Sequence, residues 1–233
     1  MGLRKISFVE GEYYHIYNRG NSKQKIFLDD KDFEHFIKLL YLCNSINKIN
    51  FREDIVEKKI DAWDFERKER IVSIGSWVLM PNHFHLYVVF PKGLSFGKDQ
   101  ENKNNISTFM SKLCTSYTMY FNKKHNRTGS LFEGKFKSVN VIDDIQAKYL
   151  FSYIHLNPIK LIQSDWKEKG IYDSAKAITF LDSYKWSSYL DFLNIKRKEN
   201  LILNEEDFPD FFSTKEKFKK EIFEWIETEE ELD

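Results

Sequence analysis

The chain has 233 residues, of which 42% are apolar and 16% aromatic, so it can bury the core of one large domain and is not a disordered protein. No stretch approaches the run of about 18 apolar residues that a membrane helix needs. The 36 basic and 36 acidic side chains cancel, but residues 204–233 hold 12 acidic and 4 basic ones. The rest of the chain therefore carries a net charge of +8 and can bind a polyanion on one surface.

The predicted elements follow the order strand, helix, strand, strand, helix, strand, helix. The predicted strands lie at 12–20, 71–80, 83–90 and 134–142, and the predicted helices at 29–47, 105–126 and 143–157. Pro81 and Asn82 form the turn of a central hairpin, and Pro158 ends the last helix. The charged segment 47–69 is predicted to be a loop or insertion, and 91–104 a polar loop. This order predicts an α+β fold in which an antiparallel sheet carries helices on one face.

The second strand of the hairpin, in "VLMPNHFHLYVVF" at 78–90, holds two histidines two residues apart. Because alternate residues of a strand share a face, His83 and His85 point to one side, and Phe84 and Leu86 to the other. The apolar face can pack against a helix. The opposite face presents two imidazoles, which is either a metal-ligand arrangement or a coincidence, since buried or exposed histidines without a metal are the commoner outcome.

The last predicted helix carries a stripe of polar side chains. Tyr149, Tyr153 and Asn157 are spaced i, i+4 and i+8 and so lie on one helix face. Such a stripe is also typical of half-buried packing that ends in an asparagine cap. Together with the two histidines, it supplies an amide oxygen as a third metal ligand and a phenol as a nucleophile. A cation held by such ligands can polarise a phosphodiester that a tyrosine attacks.

A basic segment, "KKHNRTGSLFEGKFK" at 123–137, precedes the last predicted strand. Its cations and two interleaved aromatic residues, Phe132 and Phe136, are typical of a surface that binds a phosphate backbone and unstacked bases, although a solvated turn has the same composition. Arg19 and Lys23, which follow the first strand, are weaker candidates. The predicted DNA-binding residues are Arg19, Lys23, Lys123, Lys124, Arg127, Lys135 and Lys137.

Other conspicuous side chains have structural interpretations. We predict that His15 and Tyr149 are core or rim residues and that Trp186 is a packing anchor. His155 lies on a different helix face from Tyr153 and is predicted to be an exposed helix residue. The two cysteines, Cys43 and Cys114, are too few for a disulfide framework and fit a reducing cytoplasm.

Five stretches in the same order resemble one known family, the REP-associated tyrosine transposases of the HUH (histidine, hydrophobe, histidine) endonuclease superfamily. These stretches are "YYHIYNRGNSKQKIF", "WVLMPNHFHLYV", "RTGSLFEGKFKS", "YIHLNPIK" and "YKWSSY". The resemblance covers about residues 12–190 and implies a ferredoxin-like palm. We predict a catalytic domain over residues 1–165 and a helical C-terminal extension with an acidic tail over 166–233. The resemblance further implies that His83, His85 and Asn157 bind a divalent metal, Mg²⁺ or Mn²⁺, and that Tyr153 is the nucleophile.

The resemblance also implies an activity: nicking and rejoining of single-stranded or hairpin DNA, including repetitive extragenic palindromes, through a covalent 5′-phosphotyrosine. A cytoplasmic, nucleoid-associated protein without a membrane partner is expected, as a monomer or a homodimer. Three alternatives stay open. The chain could be a replication or conjugation nickase, a hydrolase that attacks with water, or a non-catalytic module that binds DNA or RNA hairpins.

Overall fold

A computed structural model describes residues 8–47, 49–92, 105–209 and 214–228 of the chain. The strands are β1 (Tyr13–Arg19), β2 (Ser73–Met80), β3 (His83–Val89) and β4 (Lys137–Val141). The helices are α1 (Asp30–Leu42), α2 (Asn105–Lys124), α3 (Asp144–Leu156), α4 (Trp166–Lys169), α5 (Ser174–Ser183), α6 (Tyr189–Phe192) and α7 (Lys215–Thr228). The predicted order of the first seven elements is confirmed. Most of the predicted loop at 91–104 lies outside the described residues.

The four strands form one antiparallel sheet in the order β2-β3-β1-β4. The fold is therefore α+β, as predicted. Among its described residues, segment 47–69, predicted to be a loop or insertion, holds only short helical turns at Arg52–Glu57 and Ala62–Asp64. Within the described ranges, no helix is long and apolar enough to cross a membrane.

One face of the sheet is mainly apolar and carries the main core. Phe84 and Leu86 of β3 are fully buried there, with Ile16 of β1 beside them. The α1 residue Phe36 packs against both Phe84 and the α2 residue Tyr117, with ring centroids 5.0 and 4.9 Å apart. The prediction that this face of the hairpin packs against helices is confirmed.

Helix α3 lies on the opposite face of the sheet from α1 and α2. The prediction that all helices lie on one face is therefore wrong. The buried α3 residues Ala147, Leu150 and Ile154 form a second apolar cluster with Val78 of β2 and Tyr87 of β3. The reason is that β2 and β3 present apolar side chains on both faces near the sheet centre. The chain reversal after β4 then returns α3 across the face that bears the histidines.

The region after residue 165 shares the core of the preceding region. Ser187 forms a bridge with Val78, and the backbone N–H of Ser188 donates to the carbonyl of Trp77 at 2.9 Å, which extends the β2 edge of the sheet. Phe218 of α7 is fully buried. The boundary predicted at residue 165 therefore does not coincide with a break in the core. Residues 229–233 of the acidic tail lie outside the described residues.

Candidate metal and nucleophile site

The hairpin turn orients the first histidine. His83 Nδ1 lies 2.6 Å from Oδ1 of Asn82, the residue that precedes β3. An amide oxygen only accepts hydrogen bonds, so His83 Nδ1 donates and carries the ring proton. The other ring nitrogen, Nε2, then keeps a free lone pair that can bind a metal.

The second histidine is oriented from the neighbouring strand. The antiparallel register pairs Tyr17 with His85, so His15 lies diagonally across from His85 on the same face. His15 Nε2 lies 2.8 Å from His85 Nδ1. His85 Nε2 is buried and has no hydrogen-bond partner. One nitrogen of His85 is therefore held by His15, and the other is left for a ligand.

Helix α3 brings the predicted tyrosine and asparagine to these histidines. The helix begins after Asp143, whose carboxylate accepts from the Gln146 N–H at 2.7 Å. The Tyr153 ring centroid lies 5.4 Å from that of His85. Asn157, at the C-terminal end of the helix, is 2% exposed, and its Oδ1 has no hydrogen-bond partner. The phenol, the two imidazoles and the amide thus lie on the same side of the sheet.

Burial sets the protonation of this cluster. It lowers the pKa of His15 and of His83 to about 4 each and lowers the pKa of His85 well below the usual value. The imidazoles are therefore neutral at pH 7, which is the form that binds metals. Burial also raises the pKa of Tyr153, while the Asn157 side chain acts in the opposite direction. Without a bound cation, the Tyr153 phenol is therefore protonated at pH 7.

The donor atoms fit a divalent cation. Among the described residues, seven buried side-chain nitrogen or oxygen atoms lack a hydrogen-bond partner, and two of them, His85 Nε2 and Asn157 Oδ1, belong to this cluster. Across the part of the chain that the structure describes, no group of three His, Cys, Asp or Glu residues could hold a metal ion. A metal here would depend on His83, His85 and the Asn157 amide, a neutral set that suits Mn²⁺ better than Mg²⁺.

Two residues beside this cluster were not predicted to belong to it. His15 was expected in the core or rim, yet it contacts His85. Lys167 of α4 places its ammonium nitrogen 3.7 Å from the Tyr153 ring centroid. The β1 alternation could have placed His15 on the histidine face, but only the strand register brings it to His85. No sequence pattern marks Lys167.

The predicted DNA-binding residues are partly brought together. Arg19, Lys135 and Lys137 line a cleft of about 210 Å³ with Tyr17, whose ring stacks on His85 at 5.6 Å. Arg19 also pairs with Glu133, through Nη2 and Oε1 at 2.9 Å. The basic cleft therefore adjoins the histidine cluster. Lys23 and Lys123, like these lysines, are exposed.

Other parts of the basic segment serve the fold. Lys124 binds Asp29 at 2.6 Å and the buried Asp32 at 2.7 Å, so its charge is already paired. Arg127 lies 5.5 Å above the Phe121 ring. Phe132 is buried, and Phe136 is half-buried and stacked on Phe8 at 6.2 Å. Phe132 therefore completes the core beside β1, and Phe8 covers part of the Phe136 ring.

The prediction that His155 is an exposed helix residue is wrong. The His155 side chain is fully buried, with Nδ1 2.9 Å from the Phe151 carbonyl and Nε2 2.8 Å from Ser188 Oγ. The C-terminal region covers this face of α3, which the helix periodicity could not reveal. Trp186 is the packing anchor that was predicted and stacks on Phe33 at 4.7 Å.

Comparison with known proteins gives likeness only at the level of solved structures. No protein-family model matches the chain, and no curated protein matches it. A REP-associated tyrosine transposase bound to a REP hairpin is 11% identical, with a TM-score of 0.45 over 85% of this chain and 90% of that one. A proposed transposase from Deinococcus radiodurans R1 is 10% identical, with a TM-score of 0.30 over 64% of this chain and 92% of that one.

A tRNA(His) guanylyltransferase from Saccharomyces cerevisiae is 14% identical, with a TM-score of 0.36 over 90% of this chain and 86% of that one. At these values, none of the three likenesses assigns a family or an activity to the chain.

Proposed function

We propose that this protein is a metal-dependent endonuclease and strand transferase of the single-tyrosine transposase type, acting on single-stranded or hairpin DNA. The observation that carries the proposal is the meeting of Tyr153 with the His83–His85 pair and Asn157 on one face of the sheet. Strand β3 and helix α3 are separated by more than fifty residues of sequence. Tyr153 and the histidine pair therefore come together through the tertiary fold and not because they are neighbours in the chain. The five family-like stretches support the same reading.

Each side chain has a role in this proposal. The Tyr153 oxygen attacks phosphorus, the bond from phosphorus to the 3′ oxygen breaks, and the phenol proton ends on the 3′-OH that leaves. The 5′ end stays joined to Tyr153, and a 3′-OH reverses the step to rejoin DNA. His83, His85 and Asn157 would hold the cation. When bound, the cation, Mn²⁺ or Mg²⁺, supplies Lewis-acid polarisation of the phosphate and favours the phenolate.

The DNA backbone would approach through the cleft lined by Arg19, Lys135 and Lys137. Their cations are suited to phosphate oxygens, and Tyr17 links the cleft to the histidine cluster. Single-stranded or hairpin DNA fits this surface because a scissile phosphate must reach the half-buried phenol of Tyr153 near the C-terminal end of α3. Hairpins of repetitive extragenic palindromes are the substrate that the family resemblance favours.

A second candidate is a non-catalytic module that binds DNA or RNA hairpins. The raised pKa of Tyr153 and the basic cleft are compatible with binding alone. The position of His85 Nε2 and Asn157 Oδ1 favours the enzyme, because two donor atoms without a hydrogen-bond partner lie beside the phenol of Tyr153, where a cation would be needed for its attack.

Changing Tyr153→Phe tests the proposal. The parent protein, incubated with Mn²⁺ and labelled hairpin or single-stranded DNA, is expected to form an adduct that survives denaturing gel electrophoresis. The variant lacks the attacking oxygen and should form none, while its DNA affinity stays within about twofold because the ring and its packing are kept.

Tyr149→Phe is the matched control. Tyr149 lies one turn earlier on α3, and its ring stacks on Tyr153 with centroids 6.2 Å apart. This variant should keep the adduct. If the adduct is lost in the Tyr149 variant and retained in the Tyr153 variant, Tyr149 is the nucleophile and Tyr153 is not. Cleavage without any adduct would favour attack by water.

A further inference from the structure

Lys167 is placed beside the proposed nucleophile by the turn that follows α3. Its ammonium nitrogen lies 3.7 Å from the Tyr153 ring centroid and 3.5 Å from the Tyr149 hydroxyl. The side chain belongs to α4 and is exposed to solvent. A solvent-exposed cation thus lies over the face of the tyrosine ring.

This ammonium has no carboxylate partner within the described ranges. Lys169, two residues later on the same short helix, pairs with Asp165 at 3.2 Å. The groups around Lys167 are the phenols of Tyr149 and Tyr153 and the neutral imidazoles of His15 and His85. Burial is the main cause of the lowered pKa of these two histidines, and the Lys167 charge lowers it further. Because no carboxylate among the described residues pairs with it, this ammonium is available to bind an anion from outside the protein.

We propose that Lys167 binds a non-bridging oxygen of the scissile phosphodiester and holds it against Tyr153. The inference rests on the function proposed above and adds a substrate-binding residue from beyond the predicted catalytic domain. The ammonium lies over the ring whose oxygen would attack, so a phosphate that it binds is near that oxygen. The same charge opposes the negative charge that develops on the phosphate during transfer.

Binding of single-stranded DNA at several salt concentrations tests the contact without any chemistry. We would use the full chain with Lys167→Gln, Lys167→Arg and Lys169→Gln, and a fluorescent oligothymidylate of about 20 nucleotides without metal. Loss of one phosphate contact lowers the slope of log affinity against log salt by about 0.7. We expect that loss for Lys167→Gln, the parent slope for Lys169→Gln, and a restored slope for Lys167→Arg. Equal slopes for the two glutamine variants would overturn the proposal.

The rate of adduct formation with Mn²⁺ separates this inference from the function on which it rests. Lys167→Gln should slow the adduct by about tenfold or more at saturating DNA, whereas Lys169→Gln should not. If Lys167→Gln has the parent rate of adduct formation and the parent salt slope of DNA affinity, the inference about Lys167 is wrong and the nuclease proposal is unaffected. Absence of any adduct in the parent, with the slope still reduced in Lys167→Gln, would sink the nuclease proposal and retain the phosphate contact.

Lys167 and Lys169 are both exposed, so their substitution should not destabilise the fold. The thermal midpoints of the Lys167→Gln and Lys169→Gln variants are expected to lie within about 2 °C of the parent.

Discussion

The hydrogen bond between His15 Nε2 and His85 Nδ1 selects the nitrogen of His85 that can bind a ligand. If His85 Nδ1 donates to His15, the lone pair of His85 lies on Nε2, the buried atom without a partner. Asn82 does the same for His83. Both candidate ligands are thus oriented by a neighbour that would not touch the metal, as is common in metal sites.

Changing His15→Phe should therefore weaken metal binding. The ring volume is kept but the acceptor is lost, so the affinity for Mn²⁺ is expected to fall by about 10- to 100-fold. Electron paramagnetic resonance of free Mn²⁺, titrated with the DNA-free protein, measures this directly. His15→Gln retains an acceptor and should lose less. His35→Phe, which alters another largely buried histidine that stacks on Tyr120, is the control and should bind like the parent. Unchanged affinity in His15→Phe would show that His15 does not orient His85.

At the scale of elements, α1 and α2 are tied together by a buried carboxylate. Asp32 accepts from Lys124 at 2.7 Å and from His125 at 3.0 Å, and it also accepts from the Leu28 N–H at 2.8 Å. This tie sets the layer behind the sheet on which the histidine strand rests. Lys124 was predicted to bind DNA, but its contacts indicate a structural role.

The Lys124→Ala variant should separate the two roles. Because Asp32 would lose a charged partner while staying buried, the free energy of unfolding is expected to fall by about 2 kcal/mol. Urea unfolding measures it. Lys123→Ala, at the exposed neighbouring position, should change stability by less than about 0.5 kcal/mol and should weaken DNA binding if the predicted surface is correct. The idea fails if Lys124→Ala is as stable as the parent and binds DNA less tightly.

At the scale of the whole molecule, most of the six histidines are partly or fully buried and neutral. Burial lowers the pKa of His15, His35 and His83 to about 4 each, lowers that of His155 to about 3, and lowers that of His85 well below the usual value. In the unfolded chain these groups take up protons as the pH falls below about 6.5. The folded protein does not take them up until a lower pH, so acid favours unfolding.

Stability should therefore decline as the pH falls from about 7 to about 5. Once the unfolded chain is protonated, each such histidine removes about 1.4 kcal/mol of unfolding free energy per pH unit. Urea unfolding of the metal-free protein at about pH 7, 6 and 5 measures the slope. His35→Phe lacks one of these groups and should show a slope smaller by about that amount. A stability that does not vary with pH over this range would contradict the burial of neutral imidazoles.

The sequence alone determined the local elements and much of the candidate site. Alternation in β3 separated Phe84 from His83 and His85, and helical spacing grouped Tyr153 with Asn157. These are short-range consequences of the strand and helix repeats, so they could be predicted from neighbouring residues. The order of elements and the α+β class followed from the same patterns.

Only the tertiary structure decided which faces meet. The strand register brought His15 to His85, the crossing of α3 set Tyr153 over the histidine face, and the turn after it delivered Lys167. The same packing buried His155 under the C-terminal region and joined Lys124 to Asp32. These contacts link residues that are distant in the chain, and their partners depend on how sheet and helices fill space together. A periodic pattern specifies the face on which a side chain lies, but it cannot specify the residue that covers that face.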